Sequence, residues 1–330
     1  MVYNIRKGGS VSRKQPTLYI VVPCYNEEAV LAETAKQLSA KLRELVQKKQ
    51  VHSDSKIMFV NDGSKDQTWA KICDLHSKNS DIVGISLSRN RGHQNALLAG
   101  LMTAKARADI IISMDADLQD DINVISQMLE KYQAGAEIVY GVRSSRQKDS
   151  WFKRTTAEGF YKFMKLMGVD VIFNHADYRL TSRKVLDELE KYQEVNLFLR
   201  GIFPLIGFQT EVVYYERNER FAGESKYPLT KMLSFAWDGI SSFSVRPLRI
   251  IAILGFVMTF ISAIILLYSL IVNILGNTVQ GWTFTVCSIW LVGGLQTLFI
   301  GIIGEYIGKI YNETKARPRY CISEDLEKQE

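Results

Sequence analysis

Two long uncharged apolar runs in the last third of the chain constrain its fold more than any other feature. Residues 250–275 and 282–303 contain no Asp, Glu, Lys or Arg. A helix needs roughly 20 apolar residues to cross the hydrocarbon core of a bilayer, and both runs reach that length. A soluble core helix of this length normally keeps a polar face. The sequence therefore predicts two transmembrane helices, which the short uncharged connector 276–281 would join as a hairpin.

Positive charges flank this predicted hairpin, and the connector has none. Four basic residues precede the first run and four follow the second: Lys226, Lys231, Arg246, Arg249, Lys309, Lys315, Arg317 and Arg319. Because positive residues beside membrane spans stay in the cytoplasm, we expect the large N-terminal region and the tail 304–330 to face the cytosol. The chain is thus predicted to be a multi-pass protein of the cytoplasmic membrane.

The remaining segments outside the main soluble region carry weaker signals. Residues 1–15 are basic but lack an apolar h-region, so they read as a basic lead-in and not as a secretory signal. Residues 227–249 mix aromatic, small and charged residues and are expected to lie at the membrane interface as amphipathic helices. The remaining residues, 16–226, are predicted to form one soluble domain.

Cysteine spacing and net charge exclude several classes of function. The four cysteines are far apart and form no CxxC pair, so they predict neither a zinc site nor a disulfide framework. The net charge of +6 is moderate. The basic residues of the chain flank the apolar runs and do not form a patch interleaved with aromatic residues, which argues against nucleic-acid binding.

The soluble domain alternates short β-branched runs with segments of helical spacing. Strands are predicted at residues 18–22, 57–61, 82–87, 109–115 and 137–142. Apolar runs of this kind are buried on both faces, as in parallel sheets, and strand–helix alternation predicts an open α/β sheet. Ligands bind such sheets outside the carboxyl ends of the strands, where this sequence carries four polar clusters: residues 23–27, 61–64 and 115–117, and Arg143.

The chemistry expected at that edge comes from Asp115 and Asp117. No GxGxxG follows the first predicted strand, and no GxxxxGK[ST] occurs, which argues against dinucleotide-binding and P-loop enzymes. Two carboxylates two residues apart at a strand end can face one hard cation such as Mg²⁺ or Mn²⁺. A bound cation of this kind can neutralise a departing diphosphate.

Five ordered motifs then resemble family 2 glycosyltransferases, most closely the polyprenyl-phosphate glycosyltransferases such as bactoprenol glucosyltransferases and dolichol-phosphate mannose synthases. They are PCYNEE (23–28), NDGSKD (61–66), SRNRGHQNALLAG (88–100), MDADLQD (114–120) and RFAGESKY (220–227). The resemblance implies a GT-A nucleotide-sugar-binding domain with a mostly parallel sheet, followed by the transmembrane hairpin.

The same resemblance implies roles for individual residues. The nucleotide-sugar would contact Pro23, Tyr25, Glu27, Asp62, Gln94, Asp115 and Ala116. The metal would be held by Asp115, Asp117 and Gln119, and the acceptor phosphate by Arg143, Arg220, Ser225 and Lys226. Asp117, Arg143 and Asp177 are the expected catalytic residues, whereas we expect His93 to support the donor and not to transfer a proton.

Two positions depart from the family pattern. Arg91 stands where the family often has an aromatic residue, which leaves the packing of that segment open. Asp121 stands where a proline often follows the metal motif, and it should slightly loosen the turn into the next helix. We expect neither change to abolish activity.

The resemblance also implies the reaction and its partners. We expect inverting, metal-dependent transfer of glucose or N-acetylglucosamine from a UDP-sugar to polyprenyl (undecaprenyl) phosphate, in a homo-oligomer such as a tetramer. A phosphate monoester is already largely a dianion at neutral pH, so it needs no protein base. Two alternatives stay open: a processive polysaccharide synthase, which usually carries QxxRW and more spans, and a non-catalytic membrane scaffold.

Overall fold

The computed structural model describes residues 14–143, 175–216, 244–275 and 281–328. The chain divides into two compact units. The first comprises Met1–Tyr161, Val171–Lys226 and Arg317–Glu330, and the second comprises Lys162–Asp170 and Tyr227–Ala316. The chain therefore leaves the first unit for the second and returns to the first at its C-terminal end.

The described part of the first unit contains eight strands and six helices. The strands are β1 (Leu18–Cys24), β2 (Lys56–Asn61), β3 (Ile82–Leu87), β4 (Ile110–Ser113), β5 (Ile138–Arg143), β6 (His175–Ser182), β7 (Thr210–Tyr215) and β8 (Ile322–Asp325). The helices are α1 (Leu31–Gln47), α2 (Thr68–Lys78), α3 (His93–Lys105), α4 (Val124–Gln133), α5 (Arg183–Leu189) and α6 (Leu199–Ile206).

All eight strands form one sheet in the order β7-β5-β6-β4-β1-β2-β3-β8. The pairs β1–β2, β1–β4, β2–β3 and β5–β7 are parallel, whereas β6 runs antiparallel to β4 and β5, and β8 runs antiparallel to β3. The predicted α/β class with a mostly parallel sheet is therefore confirmed. Strands β1 to β5 and β7 all end at one edge of the sheet, which we call the carboxyl edge.

Burial explains why the early strands form and why α1 covers them. Every residue of β1 and β4 is buried, as expected for strands covered on both faces. Helix α1 buries one stripe that includes Leu31, Leu38, Leu42 and Leu45, and the spacing of this stripe fits the 3.6-residue helical period. Strand β1 runs two residues past its predicted end, to Cys24 at the carboxyl edge, whereas β4 ends at Ser113, before Asp115.

The described part of the second unit consists of two long helices, α7 (Arg246–Ile274) and α8 (Trp282–Thr314). Among the described residues, one segment, Leu291–Thr314 of α8, is long and apolar enough to cross a membrane. Helix α8 runs past residue 303, the predicted end of the second apolar run, because no proline interrupts it before Pro318. The predicted lead-in 1–15 is described only at residues 14 and 15, and the predicted interfacial segment 227–249 is described only from residue 244 onward. Its last four residues, 246–249, form the start of α7.

The sequence missed β8, which lies in the region predicted only as a tail. Strand β8 pairs with β3 through Ile85↔Asp325, Ser86↔Glu324 and Leu87↔Ile322, with an irregularity beside Leu87. It contains four residues, too few for a clear alternating pattern. The segment that follows α8 thus contains an edge strand of the sheet to which β1 also belongs.

Candidate active site

The loops after β1 and β2 interlock at the carboxyl edge. The Asn26 backbone amide donates to the Ser64 hydroxyl at 3.1 Å, and the Lys65 amide donates to the Asn26 side-chain oxygen at 2.9 Å. Asn26 adopts a left-handed conformation with φ 55°, which asparagine tolerates better than most residues. The neighbouring residue Tyr25 is 42% exposed at this edge.

Asp62 holds the loop that follows β3. Its Oδ1 accepts a hydrogen bond from the Arg91 amide at 2.7 Å, and its Oδ2 accepts one from the Gly92 amide at 2.9 Å. Burial raises the pKa of Asp62 above its usual range, although these two amides and His93 act in the opposite direction. The predicted nucleotide-binding carboxylate therefore also fixes the backbone that leads into α3.

The predicted metal motif forms a tight turn directly after β4. Asp115 and Asp117 are partly exposed, whereas Ala116 and Gln119 are buried. Leu118, which lies between Asp117 and Gln119, has a left-handed backbone conformation with φ 56°. The Asp117 Oδ1 accepts the Gln119 amide at 3.2 Å. The turn presents both carboxylates of the motif at the carboxyl edge.

The charges around Asp115 suit a bound cation. Burial, together with the nearby carboxylates of Asp120, Asp177 and Asp117, raises the pKa of Asp115 to about 6, against the effect of His93. Burial is the largest cause of this raised pKa, and the three neighbouring carboxylates add to it. Within the described ranges no three His, Cys, Asp or Glu side chains form a ready ligand set. The donor set fits a magnesium-type site that is completed by water and substrate oxygens.

Asp177 is the centre of a buried ionic cluster beside the metal motif. Its carboxylate lies 2.5 Å from Arg179, 3.0 Å from Arg200 and 3.3 Å from the His93 Nε2. Burial acts to raise the pKa of Asp177, but Arg200, His93 and Arg179 outweigh it and hold the pKa well below its usual range. Asp177 is therefore an anion that is surrounded by cations.

His93 connects this cluster to the metal motif. Its Nε2 lies 3.8 Å from the Asp115 Oδ1 as well as 3.3 Å from Asp177. Burial acts to lower the pKa of His93, but Asp177 and Asp115 outweigh it and raise the pKa above its usual value. His93 therefore faces carboxylates from both the metal motif and the ionic cluster, and its supporting role stays a prediction.

Arg200 is a site residue that sequence reasoning missed. It lies in α6, and the Leu199 amide next to it donates to the Gln94 Oε1 at 3.0 Å. The Gln94 Nε2 in turn lies 3.5 Å from Asp177. Nothing in the local sequence around Arg200 marks it, because its partner Asp177 is brought to it only by the fold. Gln94, which was expected at the donor, thus also links α3 to α6.

A second carboxylate, Asp120, holds Arg143 at the end of β5. The Arg143 Nη2 lies 3.3 Å from the Asp120 Oδ1, and its Nε lies 3.4 Å from the Tyr215 hydroxyl. The Tyr215 hydroxyl also donates to Asp120, and the Tyr178 ring packs edge-on against the Tyr215 ring. Burial acts to lower the pKa of Arg143, but Asp120 and Tyr215 raise it, so the guanidinium stays charged.

The sheet therefore gathers most of the predicted residues at one edge. Those brought to it are Pro23, Tyr25, Glu27, Asp62, Gln94, Asp115, Ala116, Asp117, Gln119, Arg143 and Asp177. The predicted acceptor-phosphate residues Arg220, Ser225 and Lys226 lie outside the described residues. Asp120, Tyr215 and Arg200 add charge and hydrogen bonds that the motifs alone did not indicate.

Comparison with known proteins identifies the family. The family model described as "Glycosyl transferase family 2" matches residues 19–190 of the chain. The chain is 55% identical, over 96% of its length and 94% of the relative, to an uncharacterized glycosyltransferase, YkoT, of Bacillus subtilis (strain 168). It is 42% identical to the bactoprenol glucosyl transferase of Shigella phage SfX, over 92% of this chain and 97% of that protein.

A prophage bactoprenol glucosyl transferase homolog of Escherichia coli (strain K12) is 41% identical over 92% of this chain and 97% of the relative. Among solved structures, mannosyl-3-phosphoglycerate synthase from Rubrobacter xylanophilus aligns with a TM-score of 0.48 and 16% identity, over 71% of this chain and 74% of that one. The family match and the mixed sheet confirm the expected GT-A class. The chain belongs to glycosyl transferase family 2 and is a glycosyltransferase.

Proposed function

We propose that this glycosyltransferase moves a hexose, glucose or N-acetylglucosamine, from a UDP-sugar to polyprenyl (undecaprenyl) phosphate. The observation that carries the proposal is full-length similarity to bactoprenol glucosyl transferases in a chain whose carboxyl edge presents Asp115 and Asp117. The long apolar segment of α8 supports an acceptor that resides in a membrane. The product would be a lipid-phosphate sugar for glycosylation of the cell envelope.

The residues at the edge suggest how the donor would be held. We propose that Pro23, Tyr25, Glu27 and Asp62 contact the nucleoside and that Gln94, Asp115 and Ala116 lie along the sugar diphosphate. Asp115, Asp117 and Gln119 would hold Mg²⁺ or Mn²⁺, which when bound would neutralise the departing diphosphate. The carboxylates of Asp117, Asp120 and Asp177 near Asp115 support this assignment.

The acceptor needs guidance and no protein base. Its phosphate is largely a dianion at neutral pH and would attack the anomeric carbon in a single displacement that inverts the configuration. Arg143, held charged between Asp120 and Tyr215, would draw the phosphate toward the donor, with Arg220, Ser225 and Lys226 completing the acceptor loop. Catalysis then depends on position and charge, and an α-linked product from an α-linked donor would refute this displacement.

The membrane arrangement is part of the proposal. Because β1 and β8 belong to one sheet, the chain on either side of α7 and α8 ends on the same side of any membrane that these helices enter. An even number of crossings follows, which supports a two-span hairpin. Lys309, Lys315, Arg317 and Arg319 support a cytoplasmic location for that side, by the positive-inside rule.

We also propose a homo-oligomer, such as a tetramer, that assembles through the membrane helices. Five glycines of α8 support close helix packing, because a Cβ built on each of them meets no atom within 4 Å: Gly293, Gly294, Gly301, Gly304 and Gly308. Sedimentation of the detergent-solubilised protein would give the number of copies. A monomer at all concentrations would refute this assembly.

The reaction is tested directly with the purified protein in detergent. Undecaprenyl phosphate, Mg²⁺ or Mn²⁺, and either UDP-glucose, UDP-N-acetylglucosamine or GDP-mannose are supplied, and both released nucleoside diphosphate and lipid mass are measured. We expect metal-dependent turnover with one UDP-sugar, lost in Asp117→Asn. The matched control Asp121→Asn alters a carboxylate just after the same motif and should keep most activity.

Other outcomes separate the alternatives. A growing polysaccharide without lipid-linked product would favour a processive synthase. The absence of transfer from every donor, with the protein still bound to membrane partners, would favour a scaffold. Turnover that survives in Asp117→Asn, or that continues in excess chelator, would remove the metal assignment and leave the acceptor assignment standing.

A further inference from the structure

The last strand of the chain touches the segment that leads into the candidate site. Strand β8 runs antiparallel to β3, so it begins at the carboxyl edge and runs away from it. At the edge, the Ser88 amide donates to the Cys321 carbonyl at 2.9 Å, and the Ser323 hydroxyl donates to the Ser86 carbonyl at 3.0 Å. The contact therefore reaches the first residue after β3.

Ser88 opens a short loop, residues 88–92, whose far side is fixed by the turn after β2. Asp62 accepts the amides of Arg91 and Gly92. Gly63 packs directly beneath, because a Cβ at that position would lie 2.5 Å from the backbone of Arg89 and Asn90. The loop is thus clamped between β8 on one side and the Asp62–Gly63 turn on the other.

The loop delivers α3 to the site. Helix α3 begins at His93, immediately after Gly92. His93 lies 3.8 Å from Asp115 and 3.3 Å from Asp177. A shift of the loop therefore moves His93, whose side chain contacts both the metal motif and the ionic cluster.

The opposite end of β8 is anchored by charge. Arg107 pairs with Asp325 at 2.6 Å and with Glu327 at 2.5 Å. Glu327 also accepts hydrogen bonds from Lys56 at 2.7 Å and from the Tyr19 hydroxyl at 2.9 Å. Most of these side chains are at least four-fifths buried, which makes the pairs stronger than ordinary surface salt bridges. The anchor lies away from the carboxyl edge, so it can be weakened without touching the site.

We propose that β8 is a positioning element of the active site: this chain supplies its own edge strand, which holds loop 88–92 and through it the start of α3. The inference rests on the proposed donor site and extends it to residues 321–327. Strand addition to a sheet edge derives its affinity from main-chain hydrogen bonds, so a separate peptide of the same sequence should be able to replace β8.

The experiment releases β8 after the full chain has folded. A site-specific protease sequence is inserted between Arg317 and Pro318, the purified protein is cut, and the freed strand is washed away in high salt. The double variant Asp325→Asn/Glu327→Gln weakens the anchor and should speed release. The same double variant left uncut is the matched control, because a tethered strand stays at high local concentration.

Two measurements follow release. Amide hydrogen exchange of residues 88–92 should accelerate roughly tenfold or more. The KM for the active UDP-sugar should rise by roughly tenfold, since small displacements near reacting groups are costly. A synthetic peptide of residues 318–330 should reverse both changes, which irreversible unfolding would not permit.

The outcomes are decisive and separable. Unchanged exchange and KM after complete removal of the strand would overturn the proposal, as would losses that saturating peptide does not reverse. If no donor supports turnover in any form of the protein, the proposed function fails. Hydrogen exchange of loop 88–92 still decides the role of β8 in that case.

Discussion

Arg143 lies 3.3 Å from Asp120, and Tyr215 hydrogen-bonds to both. The three residues come from the metal-motif turn, the end of β5 and the end of β7. The other oxygen of Asp120, Oδ2, is buried without a hydrogen-bond partner among the described residues. Asp120 therefore couples the position of Arg143 to the turn that carries Asp115 and Asp117.

The first prediction concerns this coupling. Asp120→Asn should lower transferase turnover by roughly tenfold or more, because Arg143 loses its charged partner and its fixed position. Tyr215→Phe removes one hydroxyl and should have a smaller effect in the same direction. Glu211→Gln, on the same strand β7 but in a surface pair with Lys131, should be silent. Equal turnover in Asp120→Asn and the wild type would show that Arg143 needs no such support.

The second prediction concerns the stability of the Asp177 cluster. Asp177→Asn removes the negative charge but keeps the size, and it leaves the fully buried Arg179 without its counter-ion. Breaking a buried pair in this way costs about 3 kcal/mol or more, which for a domain of this size lowers Tm by several degrees. Thermal unfolding in detergent measures the change.

A matched control lies close by. Asp187 is 55% exposed and pairs with Lys105 at 3.2 Å, so Asp187→Asn should leave Tm nearly unchanged. If Asp177→Asn kept its Tm and lost activity, Asp177 would act on the substrate directly and the buried cluster would not depend on its charge.

The third prediction compares two glycines of positive φ that differ in what an added Cβ would meet. Gly63 and Gly135 both have positive φ, at 61° and 110°, so alanine at either position carries backbone strain of about 1 kcal/mol or more. Only at Gly63 would the new Cβ meet backbone, at 2.5 Å; at Gly135 the nearest atom is 3.9 Å away. Gly63→Ala should therefore lose more stability and raise the KM for the donor.

Comparing the two variants separates the effect of a Cβ that presses on loop 88–92 from the effect of backbone strain alone. Both variants are assayed for Tm and for donor KM under the same conditions. Equal KM values in the two variants would mean that the contact between Gly63 and the loop does not influence the site.

The fourth prediction concerns pH and the anchor of β8. Burial acts to raise the pKa of Glu327, but the hydrogen bonds from Lys56 and Tyr19 and the charges of Arg107 and Lys56 outweigh it, so the pKa is lowered. A carboxyl group with a lowered folded pKa stabilises the docked strand above its unfolded pKa of about 4.3. That contribution is lost as the pH falls through the folded value.

Hydrogen exchange of β8 between about pH 6 and pH 3, corrected for intrinsic rates, measures this loss. Acidification should speed exchange of the strand in the wild type. In Glu327→Gln, exchange should already be faster at neutral pH and should depend less on pH. An identical pH dependence in both proteins would mean that Glu327 does not control docking.

Much of the fold and part of the site could be predicted from local sequence patterns. Apolar runs bounded by polar turns predict strands because a strand buried on both faces must be mostly apolar, as β1 is and as β4 is up to its last residue, Ser113. Asp115 and Asp117 could be located because they follow such a run at its carboxyl end. The apolar parts of α7 and α8 could be located because residues 250–275 and 282–303 contain no charged residue.

The remainder depends on pairings that no local pattern carries. Asp177 and Asp115 both reach His93 because β6 runs antiparallel to β4 in a register that places Arg179 opposite Ser113. Arg200, Asp120 and Tyr215 acquire their roles only from partners distant in sequence. Strand β8 is four residues long, and its affinity for β3 lies in main-chain hydrogen bonds, which all residues other than proline can offer. The sequence alone determined which segments are apolar, which have helical or strand periodicity, and which motifs carry carboxylates. Tertiary structure decided which charged side chains meet, because contacts between residues distant in sequence form only when the whole sheet assembles.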